Sequence, residues 1–244
     1  MSVEFDFSDR TVLITGGGRG IGRALVRFFA DAGATTAVID VDEQALAEVG
    51  LDHDVLPFAV DVSKPADVAD TIQRIVTETG RLDVVVNNAG ILRDRVVWKL
   101  TDSDWDAVIG VHLTGTFNTT RSAVPVMREQ NYGRIVNVTS YTGLHGNVGQ
   151  SNYAAAKAGI IGFTLTTAKE VARFGITVNA ISPNAKTDMV ASIPPDRAEQ
   201  LRAAIPMGRF SDPAEVGPAI GFLASEQAGY ITGVVLPVDG GLSI

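Results

Sequence analysis

The chain has 244 residues, 45% hydrophobic and 20% charged, enough for one large domain with a substantial buried core. Its formal net charge of −8 works against nonspecific binding to nucleic acid or to anionic membranes, and the first apolar run, residues 11–15, is far too short to span a bilayer. Cysteine is absent, which excludes disulfides, thiolate metal sites and a cysteine nucleophile; with no leader-like segment, the expected location is cytoplasmic.

Short β-branched runs alternate with helix-like stretches almost from end to end. The first strand, TVLIT (11–15), leads to a helix over 20–32, a strand over 35–40, a helix over 42–49 and a strand over 55–60. Pro65 suits the first turn of a helix over 65–79. Strands then fall at 82–87, 134–140, 176–182 and 234–239, separated by helices over 102–130, 151–174 and 212–225, the last with Pro213 near its start. Most strands are continuously apolar, as a parallel sheet covered on both faces requires. The expected fold spans residues 1–244: a single-domain α/β structure of Rossmann type, a doubly wound, seven-stranded parallel sheet with helices on both faces. Residues 184–208, with adjacent prolines and no clean period, break the rhythm and read as a substrate loop or lid.

TGGGRGIG (15–22) joins the first strand to the first helix. Glycine permits positive φ and close backbone approach, and the helix N-terminus offers free N–H groups to a pyrophosphate. Gly16, Gly20 and Gly22 are spaced G-x-x-x-G-x-G, not the standard G-x-G-x-x-G; their place after the first strand is what points to a dinucleotide. Asp40 ends the second strand, where a carboxylate accepts from the adenosine ribose hydroxyls and repels a 2′-phosphate. Arg19 pulls the other way, since it could meet that phosphate. The Asp40 charge opposes the phosphate more directly, so NAD is expected over NADP.

Tyr153 and Lys157 are four residues apart and share a helix face. A free tyrosine titrates near ~10, and a neighbouring lysine cation stabilises tyrosinate, so the pair suits proton transfer. Ser140, at the end of the fifth strand, can donate a hydrogen bond to a carbonyl oxygen.

TGGGRGIG, NNAG (87–90), Ser140, YAAAK (153–157) and YITGVVLPVDGG (230–241) occur in that order. With them the chain resembles the classical short-chain dehydrogenase/reductase family over essentially its full length. The resemblance implies that Tyr153 is the general acid/base, that Lys157 holds the nicotinamide ribose and tunes Tyr153, and that Ser140 orients the substrate carbonyl. It assigns Gly16, Gly18, Arg19, Gly20, Ile21 and Gly22 to the cofactor loop, Asp61 and Val62 to the adenine, and Asn88, Ala89 and Gly90 to the cofactor cleft. Pro183 and Thr187 would lie toward the carboxamide. Hydride then passes to or from nicotinamide C4, and no metal is needed.

Two subgroups are similar in detail. The β-ketoacyl-acyl-carrier-protein reductases share the GNxGQxNYAAAKAGxIGF pattern; the D-specific 3-hydroxyacyl-CoA dehydrogenase units share GILRDR (90–95), VHL (111–113), YGRIV (132–136) and SPNA (182–185). Three departures from the reductases favour the second: Asp40, Asn184 in place of glycine with a shorter loop to Thr187, and His112 in place of an asparagine counted as a fourth catalytic member. The expected substrate is a 3-hydroxyacyl or 3-oxoacyl thioester, on CoA or an acyl carrier. An NADPH-dependent reductase, a steroid or other bulky alcohol dehydrogenase, and a catalytically silent NAD sensor stay open; Ser140, Tyr153 and Lys157 together argue against the last. Family packing implies a homotetramer or homodimer through helices 102–130 and 151–174. His112 reads as a fixed hydrogen-bond partner in preference to a proton shuttle. Arg121, Arg128 and Arg134 could meet a phosphopantetheine or CoA phosphate but read in preference as a solvated helix face.

Overall fold

β1 (Thr11–Thr15) is buried along its whole length, and its side chains divide between two cores. Val12 and Ile14 enter one, Leu13 the other. The same division separates Val84 and Val86 from Val85, and Val136 and Val138 from Ile135. A strand with an apolar layer on each side has no solvent face to mark with polar residues, so these segments run apolar without interruption.

The computed structural model describes residues 3–186 and 195–244. β1 is joined by β2 (Thr35–Asp40), β3 (Val55–Ala59), β4 (Val84–Asn87), β5 (Gly133–Val138), β6 (Ile176–Pro183) and β7 (Val235–Val238). All pair in parallel, in the order β3-β2-β1-β4-β5-β6-β7. The helices are α1 (Gly20–Asp31), α2 (Glu43–Asp52), α3 (Pro65–Thr79), α4 (Asp102–Ile109), α5 (Gly115–Gln130), α6 (Tyr141–His145) and α7 (Ser151–Val171), followed by Pro195–Ala203 and Gly217–Ala224. α1, α2 and Gly217–Ala224 supply one core through Phe29, Leu46 and Ile220; α3, α5 and α7 supply the other through Ile72, Met127 and Val171. Each fully buried Leu, Ile or Phe side chain, such as Leu13, Ile14 and Phe29, contributes about 1.5–3 kcal/mol. The chain winds outward from β1 to β3, then returns to the other side of β1 at β4. That reversal opens a crevice above the carboxyl ends of β1 and β4.

Several elements differ from their sequence pattern. The stretch 102–130 is not one helix: α4 and α5 are separated by a π-helical turn, Gly110–Thr114. α4 begins with a capping box in which Thr101 Oγ1 accepts from Asp104 N at 3.1 Å. The stretch 212–225 divides into a 3-10 turn, Pro213–Val216, and the helix Gly217–Ala224; Pro65 and Pro213 both stand in first turns. α6 and Pro195–Ala203 lacked an apolar period to announce them. Residues 187–194 of the expected lid, Thr187 among them, lie outside the described residues.

Arg134 is not on a solvated face. It is buried at the amino end of β5, where Nε donates to Ser225 O at 3.1 Å and Nη1 to Gly133 O and Gly175 O at 2.8 and 3.1 Å. Its guanidinium and that of Arg10 each lie 4.3 Å from the Tyr132 ring centroid. Beside them the fully buried Asp83 accepts from Arg10, Arg81 and Thr11 N. This network closes the end of the sheet opposite the crevice. Arg121 and Arg128 instead lie over Phe117 and Phe174.

Candidate active site

The loop after β1 is shaped by close backbone approach. Gly16 has φ 66°, and a Cβ there would stand 2.7 Å from Ala89 Cα; a Cβ on Gly22 would stand 1.9 Å from Gly16 O. Thr15 ties this loop to the segment after β4: its Oγ1 accepts from Asn88 N at 3.0 Å and Ala89 N at 3.1 Å. Asn88 Nδ2 donates back to Thr15 O and Gly16 O, each at 3.0 Å. The N-cap residue of α1, Arg19, makes no side-chain cap hydrogen bond, so the first-turn N–H groups, around Gly20, Ile21 and Gly22, lack that acceptor. That arrangement fits a pyrophosphate.

Asp40 stands at the end of β2 with both carboxylate oxygens on backbone donors: Oδ2 on Gly18 N at 2.9 Å and Oδ1 on Asp42 N at 3.1 Å. Arg19 is paired with Asp42, which also caps α2 by accepting from Ala45 N at 2.9 Å. The arginine charge is thus matched by Asp42. Among the described residues no Lys or Arg forms an ion pair with Asp40. Further along the crevice, Asp61 Oδ1 accepts from Ser63 N at 2.9 Å, and the Val62 carbonyl accepts from the buried Asn118 Nδ2 at 2.9 Å.

Ser140, Tyr153 and Lys157 converge from the end of β5 and one face of α7. Ser140 caps α6, its Oγ accepting from Thr142 N at 3.2 Å, and its hydroxyl sits beside that of Tyr153. Burial pushes the Tyr153 pKa up; the Ser140 hydroxyl opposes the rise, and the charge of Asp94 adds to it. Lys157 is buried, donates from Nζ to Val138 O at 2.6 Å and lies 5.6 Å from the Tyr153 ring centroid. Burial lowers its pKa to about 7. The expected lowering of Tyr153 by a lysine cation is therefore not what the free protein displays. Lys157 is withdrawn from water and Tyr153 is half-buried, which favours the neutral form of each.

His112 occupies the π turn and is buried. Its Nε2 lies 3.0 Å from Ile91 N and 2.8 Å from Ile91 O; the tautomer decides which contact is the hydrogen bond. A Cβ on Gly90 would stand 2.4 Å from the imidazole Cε1, so glycine there makes room for the ring. The ring meets that of Tyr153 edge-on, with centroids 5.1 Å apart. Burial, then the nearby Lys157 charge, lowers the His112 pKa to about 3, leaving the imidazole neutral at physiological pH. Its carbonyl accepts from Thr116 Oγ1 at 2.7 Å.

At the end of β6, Pro183 is in register with Val238, and Asn184 donates from its backbone to Val238 O at 3.1 Å. The Asn184 carboxamide nitrogen is buried and has no hydrogen-bond partner among the described residues. Sequence reasoning missed Thr15, Asn118, Asp94 and Gln150. Thr15, Asp94 and Gln150 stand inside the TGGGRGIG, GILRDR and GNxGQxNYAAAKAGxIGF stretches, but no spacing marks their ties, which, like that of Asn118, join segments that only the fold brings together. Among the described residues no group of three or more His, Asp or Glu side chains could hold a metal ion.

Residues 16–243 match the protein family described as enoyl-(acyl carrier protein) reductase. The chain is 44% identical over 241 residues to the 3-oxoacyl-[acyl-carrier-protein] reductase FabG of Thermotoga maritima, covering 96% of this chain and 98% of that protein. It belongs to the short-chain dehydrogenase/reductase family. FabG of Escherichia coli K12 is 38% identical over 97% of this chain and 98% of its own length. Nodulation protein G of Azospirillum brasilense is 41% identical over 97% and 99%. As a member of this family the protein is an oxidoreductase acting on CH–OH groups.

Proposed function

We propose that this short-chain dehydrogenase/reductase interconverts a 3-hydroxyacyl and a 3-oxoacyl thioester using NAD(H). The observation that carries the reading is the Ser140 hydroxyl beside the Tyr153 hydroxyl, with Lys157 buried one helical turn along, at the same carboxyl edge of the sheet as the glycine loop after β1. The names of the FabG relatives supply the substrate class. Asp40, without a cationic partner, and Arg19, matched by Asp42, support NAD over NADP.

A bound nicotinamide would supply or accept the hydride. Gly16, Gly18, Arg19, Gly20, Ile21 and Gly22 would hold its pyrophosphate, Asp40 the adenosine ribose, and Asp61 and Val62 the adenine. Asn88, Ala89 and Gly90 would line the cleft, with Pro183 and Thr187 toward the carboxamide. Ser140 Oγ donates to the substrate carbonyl oxygen. Tyr153 Oη gives its proton to that oxygen during reduction and takes it back during oxidation. The raised Tyr153 pKa keeps the proton available as an acid at neutral pH, and Lys157, buried one helical turn along, would hold the nicotinamide ribose. His112, neutral, holds the Ile91 backbone and meets the edge of the Tyr153 ring.

Partly exposed Trp105, Phe117 and Leu165 on α4, α5 and α7 support a homodimer or homotetramer packed through those helices. Light scattering that finds only monomer would overturn it. No described helix is long and apolar enough to cross a membrane. The functional test follows reduced-nicotinamide absorbance with 3-oxoacyl-CoA, 3-oxoacyl-carrier and hydroxysteroid substrates. Turnover of an acyl thioester with NADH exceeding that with NADPH is expected. Cofactor binding without turnover of any substrate, or turnover confined to steroids, overturns the reading.

A further inference from the structure

Gln150 stands immediately before α7, and its side chain joins three segments around the proposed acid/base. Its Nε2 donates to Asp94 Oδ2 at 2.8 Å, and its Oε1 accepts from Thr142 Oγ1 at 3.2 Å and from Asn147 Nδ2 at 2.9 Å. Its backbone bridges to Arg95 and accepts from Ala154 N at 2.7 Å. Thr142 is the residue whose N–H donates to Ser140 Oγ, and Tyr153 lies three residues beyond Gln150. Asn152 adds a parallel tie, donating to Arg93 O at 3.1 Å while accepting from Tyr153 N at 2.8 Å. One amide therefore links the turn carrying Ser140, the helix carrying Tyr153 and the segment after β4.

We propose that Asp94 and Gln150 are positioning residues for the Ser140–Tyr153 pair: Asp94 orients the Gln150 amide, and the amide sets the separation of the two hydroxyls. This rests on the reading of Tyr153 as acid/base. Asp94 has a second, electrostatic effect, because its carboxylate opposes ionisation of Tyr153. Although the residue as a whole is exposed, the protein around its carboxyl raises its own pKa, against the Gln150 hydrogen bond. Among the described residues, the other charged or titratable groups near Tyr153 have their own partners or surroundings. Lys157 shares α7, and His112, on the π turn, is neutral. Asp104 on α4 is engaged by Thr101 and Arg95, and Arg93 is exposed with its guanidinium on Leu92 O. His145 on α6 is exposed, its ring centroid 4.4 Å from that of Tyr141 and its plane tilted by 30°.

The charge and the hydrogen bond separate by mutation. Asp94→Asn keeps an acceptor for Gln150 and removes the charge; Asp94→Ala removes both; Gln150→Ala removes the link. The Tyr153 phenolate is titrated by ultraviolet difference absorbance of the whole protein, with Tyr153→Phe subtracted. Asp94→Asn is expected to lower the midpoint by several tenths of a unit and to keep kcat within about threefold. Asp94→Ala and Gln150→Ala are expected to lose about tenfold or more in kcat with little change in cofactor KM. An unchanged phenolate midpoint in Asp94→Asn overturns the electrostatic role, and full kcat in both alanine variants overturns the positioning role. If the native protein turns over no substrate, the functional reading fails separately. The positioning role is then decided by the Gln150→Ala phenolate midpoint: a rise supports it, because a displaced Ser140 hydroxyl no longer opposes the burial of Tyr153, and an unchanged or lowered midpoint overturns it.

Discussion

A single imidazole nitrogen joins His112 to Ile91, lying 3.0 Å from its amide nitrogen and 2.8 Å from its carbonyl oxygen. With its pKa lowered to about 3, the imidazole adds no ionisation near neutrality. His112→Asn is therefore expected to keep activity within about tenfold and to leave the shape of the pH–rate profile unchanged. A hundredfold loss with an altered profile would make His112 a proton carrier instead. The folded pKa lies below the unfolded value of 6.5, so the stability from neutral His112 is complete above that pH and is lost as pH falls toward 3. Urea denaturation at about pH 7 and about pH 4.5 should show a shallower acid loss in His112→Asn.

Lys157 carries a lowered pKa of about 7, against an unperturbed 10.5. Between those values the unfolded chain binds the extra proton, so the contribution of this group raises stability as pH rises through the window. Lys157→Met removes that slope. Its stability relative to the native protein should fall by a few kcal/mol between about pH 7 and about pH 10. Parallel stability curves would show that the amine is not desolvated in the free protein.

Cofactor choice is expected to follow Asp40. Because its oxygens also hold Gly18 and Asp42, Asp40→Ala will weaken both dinucleotides, and the informative quantity is the ratio of kcat/KM for NAD⁺ to that for NADP⁺. That ratio should fall at least about tenfold, roughly 1.4 kcal/mol. Asp42→Ala, which releases Arg19 from its ion pair, should lower it further toward NADP⁺. A native ratio at or below unity would remove the case for NAD.

Tyr153→Phe preserves the ring that packs edge-on against His112 and deletes the hydroxyl beside Ser140. Turnover should drop about 10²–10⁴-fold, the usual worth of a positioned acid/base, while calorimetric cofactor affinity stays near native. Substantial residual activity would move the proton-transfer role to another group.

At the far end of the sheet, Asp83→Ala should cost about 3–5 kcal/mol in urea unfolding, because it strips a buried acceptor from Arg10, Arg81 and Thr11 N. A loss under about 1 kcal/mol would show that the neighbouring charges relax into water.

Much of this arrangement was legible in the residue order. The seven strands announced themselves because both faces of each inner strand are covered, and Gly16, Asp40, Ser140, Tyr153 and Lys157 stand at strand ends or on one helical face by spacing alone. Spacing did not mark the break between α4 and α5, because VHLTG has ordinary helical spacing; only the family resemblance pointed to an irregularity at the position of His112, which the π turn carries to where the ring meets Gly90 and Tyr153. Arg134 was misread for a similar reason, since its burial depends on carbonyls of Ser225 and Gly175 that are remote in the chain.

By itself, the sequence determined the parallel sheet, the glycine loop at its switch point and the chemical identities of the groups that meet there. These follow from local rules: periodicity, cap chemistry and the steric demands of glycine. Only the tertiary structure decided protonation and precise placement. Burial, which no local pattern records, drives Lys157 down to about 7 and His112 to about 3, and raises Tyr153. The ties through Thr15 and Gln150 likewise exist only once the ends of separate strands lie side by side.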